Sequence, residues 1–277
     1  METKTIIALA AAAALGGGCR CGNGGGPDAG TATDGAPGTD ATPASDAAPP
    51  GTDAALPPPQ CIVGLISDDA TPNLSPVFDL LDAIPDVGWD HMPDDANALF
   101  TENAALIGGY DVVVWYERDR LITAAEAATL EAYLQAGGRL LVTGHDSLGD
   151  PDDPLLAALV RSSGVGDLVG PIMFSITDGA HPIATGPFGA HATGELFATP
   201  TNDIDLAEAD LAAGAVTVAE YAPGYDKIIA TELASGGIVV YWNGNGQDGM
   251  YVSPDWAPGQ DAMRGMLQNA IVWLCTP

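Results

Sequence analysis

His145, Asp146 and Ser147 stand in a row directly after an apolar run, Leu140 to Thr143, that stops at Gly144. An imidazole, a carboxylate and a hydroxyl released together from a strand end could serve as base, metal ligand or nucleophile. Asp68 and Asp69 follow a second apolar run, Cys61 to Ser67, and Glu117 follows a third, Tyr110 to Tyr116. In α/β sheets, ligands bind outside the carboxyl ends of the parallel strands. These polar residues would therefore gather at one edge. His145, Asp146, Ser147 and Glu117 form the candidate catalytic set. Asp68, Asp69 and Asp146 form a candidate oxygen-rich metal set, suited to Ca²⁺ or Mg²⁺ but without a fixed ligand spacing. No organic cofactor is expected.

Several look-alikes are weaker. His145-Asp-Ser-Leu-Gly149 partly matches the nucleophile elbow G-x-S-x-G, but His145 replaces its first glycine, so the strained turn is not specified. Asp150, Asp152 and Asp153 match a calcium loop only in composition, and a capped turn before the next helix explains them. Asn243, Asn245 and Asp248 miss the EF-hand order. Trp89, Trp115, Trp242 and Trp273 read as core; Trp256, between prolines, is the one placed for stacking on a sugar. His181 precedes Pro182 in a loop.

Strands and helices must position this edge. Cys61–Ser67 is a continuous apolar run, as expected for a buried strand. Ser75 and Pro76 signal a helix start, Val77, Leu80, Leu81 and Ile84 its buried face, and Pro85 its stop. A short strand near Val87–His91 and a brief helix near Glu102–Ile107 follow. Tyr110–Tyr116 is β-branched and apolar. Thr123 and Glu126 form a capping box that opens a helix ending at Gly137. Leu140–Thr143 and a helix over about Pro154–Ser162 complete the alternation. Strand alternating with helix predicts a parallel sheet covered on both faces. Between about Gly164 and Tyr225 the pattern loosens into Gly- and Pro-rich turns, as expected for an antiparallel excursion. Lys227–Glu232 and Ile238–Trp242 read as paired strands, and Gly259–Leu274 as an amphipathic helix.

The chain of 277 residues carries 8 Lys and Arg against 37 Asp and Glu, a net charge of −29. Such a surface repels phosphate backbones and excludes nucleic acid as a partner. Residues 1–18 read as an export signal: Lys4, then the short apolar stretch Ile6 to Leu15, then three glycines. The approach to Cys19 resembles the lipobox of bacterial lipoproteins, with Leu15 one place further from the cysteine than the pattern has it. That resemblance implies lipidation of Cys19, a membrane anchor and a place in the cell envelope; simple secretion is the alternative. Residues 19–60, rich in Gly, Pro, Ala, Thr and Asp, cannot bury enough surface to order themselves and read as a disordered tether. Residues 61–277 form the folded domain. In an oxidising compartment Cys61, which opens it, and Cys275, which nearly closes it, are expected to pair. Cys21 is left odd.

The succession YDVVVW, GGRLLVTGH, HPIATG, GGIVVYWNGNG and NAIVWL is similar to that of the class I glutamine amidotransferase-like superfamily, in its branch resembling trehalose-utilisation proteins. The resemblance covers about Cys61 to Cys275 and implies a flavodoxin-like sheet. It implies a histidine at His145 and a structural turn at His181. It does not carry amidotransferase activity, because that chemistry needs a cysteine at the turn after the central strand and Gly144-His-Asp-Ser147 has none. The expected function is a tethered binding or scaffolding module that engages a glycan or another envelope protein. The alternative is a hydrolase or carbohydrate-active enzyme using the His145–Asp146 loop with a metal.

Overall fold

In a computed structural model, described over residues 60–67, 71–93, 104–116, 121–143, 148–149, 152–169, 173–198, 203–222, 224–243 and 258–277, the apolar runs become the centre of one sheet. Its first half alternates β1 (Cys61–Ser67), α1 (Thr71–Asp82), β2 (Val87–Pro93), α2 (Ala104–Ile107), β3 (Val112–Tyr116), α3 (Ala124–Gln135), β4 (Arg139–Thr143) and α4 (Pro154–Leu159). The looser stretch supplies β5 (Asp167–Val169), β6 (Met173–Ile176), β7 (Thr185–Gly186), β8 (Gly189–Ala190), β9 (Leu196–Ala198), β10 (Asp203–Asp205) and β11 (Val216–Tyr221). The chain closes with β12 (Asp226–Glu232), β13 (Ile238–Trp242) and α5 (Pro258–Cys275).

Among the described residues the main sheet has nine strands, ordered β2-β1-β3-β4-β13-β12-β11-β6-β9. The strands from β2 through β13 in that order are parallel. From β12 outward to β9 every pairing is antiparallel. The fold is therefore α/β with a mixed sheet, and the looser stretch does run antiparallel.

Every residue of β3 is buried, as a strand covered on both faces requires. Val63, Leu65, Val114, Leu141 and Val240 face α1 and α5 in one core cluster, with Leu80, Leu81, Met266, Leu267 and Ile271. Val113, Leu140, Val142 and Val239 face the other way and pack with Leu130, Leu134, Leu156 and Leu159 of α3 and α4.

Local signals set both ends of α3 and the start of α4. The Thr123 hydroxyl accepts from the Glu126 N–H and the Glu126 carboxylate accepts from the Thr123 N–H, closing the capping box. Gly137, at φ +91, ends α3 in a Schellman motif: the Gly138 N–H reaches the Tyr133 carbonyl and the Gly137 N–H that of Leu134. Asp153 caps α4 through Leu155 and Leu156. One expectation is corrected. The first helix begins at Thr71, not at Ser75-Pro76, so Pro72 rather than Pro76 takes the early helical position. The sequence offers two proline-marked starts a turn apart, and the structure uses the earlier. Its last helical residue is Asp82, three before Pro85.

Cys61 and Cys275 are joined, with Cα atoms 5.7 Å apart, as expected. The bond ties the first residue of β1 to the last residue of α5 at the amino edge of the sheet. The Asn269 side chain of α5 adds polar staples: it donates to the Ile183 and Gly189 carbonyls and accepts from the Phe188 N–H. No helix among the described residues is long and apolar enough to cross a membrane.

Candidate functional site at the carboxyl edge

The carboxyl ends of four adjacent parallel strands lie in register. Ser67 of β1 pairs with Tyr116 of β3, Tyr116 with Thr143 of β4, and Thr143 with Trp242 of β13. Residues in register project to the same face of a sheet. A hydroxyl, a phenol, a second hydroxyl and an indole thus form one polar row, on the face that packs against α1 and α5. All four side chains are buried. The Thr143 Oγ1 and Trp242 Nε1 atoms have no hydrogen-bond partner among the described residues. Leaving a buried polar group unsatisfied costs roughly 1–3 kcal/mol, so these two groups, Thr143 Oγ1 and Trp242 Nε1, call for partners beyond the described residues.

Beside the row lies a polar knot absent from the sequence reading. Lys227 is the second residue of β12, which runs antiparallel to β13 and so starts at this same edge. It is fully buried. Its Nζ donates to the Asn243 carbonyl at 2.5 Å, and the Tyr221 hydroxyl donates to the same oxygen at 2.8 Å. The ammonium sits 5.0 Å from the Trp242 ring centre and 5.2 Å from that of Tyr221, within cation–π range of both. The Asn243 amide donates to the Asp205 and Asp226 carbonyls and accepts from the Asp205 N–H. Asp205 in turn accepts from the Leu148 N–H at 3.1 Å and from the Tyr241 hydroxyl. The far end of the loop after β4 is thereby pinned to the sheet. Asp226 accepts from the Ala209 N–H at 2.6 Å; burial pushes its carboxyl above the ordinary range, against that hydrogen bond.

A signal for Lys227 was present. It is the chain's one lysine after Lys4, and it opens an apolar strand, Lys-Ile-Ile-Ala. Lysine is almost never fully buried unless paired.

The expected site residues Asp68, Asp69, Glu117, His145, Asp146 and Ser147 lie outside the described residues, as do Asp150, Asn245, Asp248, Trp256, Cys19 and Cys21. The structure brings together the strand ends that carry them: Ser67 precedes Asp68, Tyr116 precedes Glu117, and Thr143 and Leu148 bracket His145 to Ser147. Among the described residues no group of three His, Cys, Asp or Glu side chains could hold a metal ion. The described histidines lie elsewhere. His91 sits on β2, paired with Leu65 two residues short of the end of β1. His191 packs edge-on against Phe197. His181 does form a turn, its Nδ1 accepting from the Ile183 N–H. Trp115 and Trp242 are core, while Trp89 and Trp273 are partly buried. A cavity of about 470 Å³ between Tyr110, Tyr133, Arg139 and Cys275 opens at the opposite, amino edge.

Sheet order, helix placement and this edge define an α/β domain with a mixed sheet. No protein-family model matches the sequence. A comparison with curated proteins finds no match. Solved structures do match. The mmIFT52 N-terminal domain superposes with a TM-score of 0.55 at 14% identity, over 78% of this chain and 98% of that one; the likeness is one of fold. A putative ThuA-like protein from Parabacteroides merdae gives 0.49 at 12% identity, over 78% and 90%. The exo-β-1,4-mannosidase Op5Man5 from Opitutaceae bacterium strain TAV5 gives 0.47 at 14% identity, over 76% of this chain and 35% of that one.

Proposed function

We propose that this chain is an extracytoplasmic binding module: an amidotransferase-like, flavodoxin-type domain that has no thiol for amide chemistry and is held to a membrane through lipid on Cys19 and the spacer 19–60. The observation that carries the reading is the fate of the cysteines. The domain has two, and both are consumed in the Cys61–Cys275 disulfide, at the edge opposite the turn where an amidotransferase nucleophile would stand. The order β2-β1-β3-β4-β13 of the parallel strands supports the flavodoxin-type assignment, since it follows the order 2-1-3-4-5 of such sheets. In that order the crevice opens between the ends of β1 and β3, at Ser67 and Tyr116. In the buried row, the Thr143 hydroxyl and the Trp242 indole N–H, without partners among the described residues, suit a polar, uncharged ligand. A glycan or a polar surface of another envelope protein fits that chemistry.

A second reading is favoured by the convergence of the strand ends that carry Asp68, Glu117 and His145: a hydrolase or carbohydrate-active enzyme in which Asp68, Asp69 and Asp146 hold Ca²⁺ or Mg²⁺ and His145 moves the proton. A thermal-shift screen of the full chain against glycans and against divalent cations separates the two. The binding module predicts a glycan-induced shift that needs no metal. A shift that requires Ca²⁺ or Mg²⁺ and vanishes in both His145→Ala and Asp146→Ala favours the enzyme. The address is tested apart from the ligand, by mass spectrometry of the mature N-terminus. An unmodified start downstream of Cys19 removes the anchor.

A further inference from the structure

At the amino edge, opposite the proposed site, strand starts and helix ends surround the cavity of about 470 Å³. Asp111 lies just before β3 and Arg139 heads β4; Tyr110, Tyr133 and the ends of α3 and α5 complete the lining. The Tyr133 hydroxyl is 3.2 Å from the Tyr110 and Asp111 carbonyls and 3.3 Å from that of Arg139, so one phenol ties the two strand starts together. Two opposite charges enter this cavity without meeting. The half-buried Arg139 guanidinium donates from Nη1 to the Leu274 carbonyl. No carboxylate among the described residues pairs with it, in a chain with 37 Asp and Glu. The Asp111 carboxylate accepts from the Ile62 N–H at 2.8 Å through Oδ2 and has no cation bonded to it among the described residues. Both charges act on Tyr133. Burial first raises that phenol above its ordinary pKa and the hydrogen bond to the Arg139 backbone lowers it; the Asp111 carboxylate then raises it and the Arg139 guanidinium lowers it.

We propose that this cavity binds a free α-amino acid with an apolar side chain, its carboxylate on the Arg139 guanidinium, its ammonium on the Asp111 carboxylate and its side chain against the rings of Tyr110 and Tyr133. Charge selects the zwitterion. A net charge of −29 repels an anion on approach, and an anion leaves Asp111 unmet. A simple cation leaves Arg139 unmet. Arginine has five N–H donors in a planar fork that matches a carboxylate, and the bond to Leu274 uses one side of it. The carboxyl end of α3, on the cavity wall, adds partial negative charge that suits an ammonium. A metal ion fits poorly, because no three ligating side chains converge among the described residues. The volume lies within the range of small-molecule sites and admits roughly fifteen non-hydrogen atoms, at about 30 Å³ for each water-sized group. An amino acid as large as phenylalanine is accommodated.

The test uses the full chain, with thermal shift and titration calorimetry as readouts. The probes are phenylalanine and leucine, their N-acetyl forms, which keep only the carboxylate, and their amides, which keep only the ammonium. At least one free amino acid is expected to bind and to outdo both of its blocked forms by roughly tenfold or more, the weight of one charged hydrogen bond. Asp111→Asn keeps an acceptor for the Ile62 N–H and removes the charge. It should weaken the free amino acid by a similar factor and leave the N-acetyl form unaffected. Arg139→Gln should do the converse, sparing the amide. Thr143→Val, at the carboxyl edge, should change nothing here, which separates this site from the proposed one. Equal binding of the blocked forms, unchanged affinity in Asp111→Asn, loss of binding in Thr143→Val, or no response to either amino acid overturns the proposal.

Discussion

Thr143 and His181 carry their consequences singly. The Thr143 hydroxyl is buried with no partner among the described residues, so Thr143→Val deletes a polar group and keeps the shape. Removing an unsatisfied group costs little, and we expect a change in stability within about 1 kcal/mol together with loss of any ligand-induced shift at the carboxyl edge. A loss of several kcal/mol by urea titration would show that the hydroxyl is already engaged by the covering loops. His181 predicts a pH effect. Burial holds its imidazole below the ordinary value of 6.5, so the fold favours the neutral ring. The stability it contributes is complete above that value and is lost as pH falls through it toward the folded pKa. Melting temperature should therefore decline on the acid side of 6.5, and His181→Gln should make that decline shallower. Asp226 has the opposite sign. Its folded pKa is raised, so its contribution is present in acid and lost as the carboxyl ionises. Asp226→Asn, which keeps an acceptor for Ala209, should melt higher than the parent at neutral pH and lose that advantage in acid. An unchanged neutral melting temperature would count against burial of the charge.

Single elements depend on their caps, and caps are local. Asp153 accepts from Leu155 and Leu156 at the start of α4 and also from the buried Ile122 N–H at 2.7 Å, which joins α4 to the segment entering α3. Asp153→Ala strips all three donors. We expect a loss of about 2–3 kcal/mol, against about 1 kcal/mol for Thr123→Ala, a cap that serves its own helix alone. Equal losses in urea melts of the two variants would mean that the link to Ile122 carries nothing. This locality also explains what could be read in advance. Thr123 with Glu126, Asp153, and Gly137 after a helix each act within a few residues, so the sequence displays them complete. The start of α1 was misplaced because Thr71-Pro72 and Ser75-Pro76 are equally good local signals, and nothing within a few residues chooses between them. Lys227 was passed over because its partners are remote in sequence: Asn243 and Trp242 approach it only once β12 has paired with β13. The polar row at the carboxyl edge is of the same kind, since Ser67, Tyr116, Thr143 and Trp242 become neighbours through register alone.

The whole domain is closed by one covalent link. Cys61 and Cys275 are 214 residues apart in sequence, and each sits at the end of an element already buried in the core: Cys61 at the start of β1, Cys275 after Leu274 on α5. Position in the chain, with the oxidising compartment expected from the sequence, was enough to anticipate the pair, since two cysteines that open and close a domain meet if its ends do. The bond acts chiefly on the unfolded chain, whose ends it holds together, and such closures contribute about 2–4 kcal/mol. It should not be needed to seat α5. Arg139 donates to the Leu274 carbonyl at 2.6 Å, Gln268 to that of Leu80, and Asn269 to those of Ile183 and Gly189. The same helix face buries Met263, Met266, Leu267, Ala270 and Ile271. The double variant Cys61→Ser, Cys275→Ser should therefore unfold in urea at a lower midpoint but still in one transition, with α5 protected from hydrogen exchange as long as the sheet is. The slope of that transition should steepen, because the unlinked chain exposes more surface when it unfolds. A separate early transition, with α5 exchanging ahead of β1 and β3, would show instead that the disulfide fastens a helix the packing cannot hold.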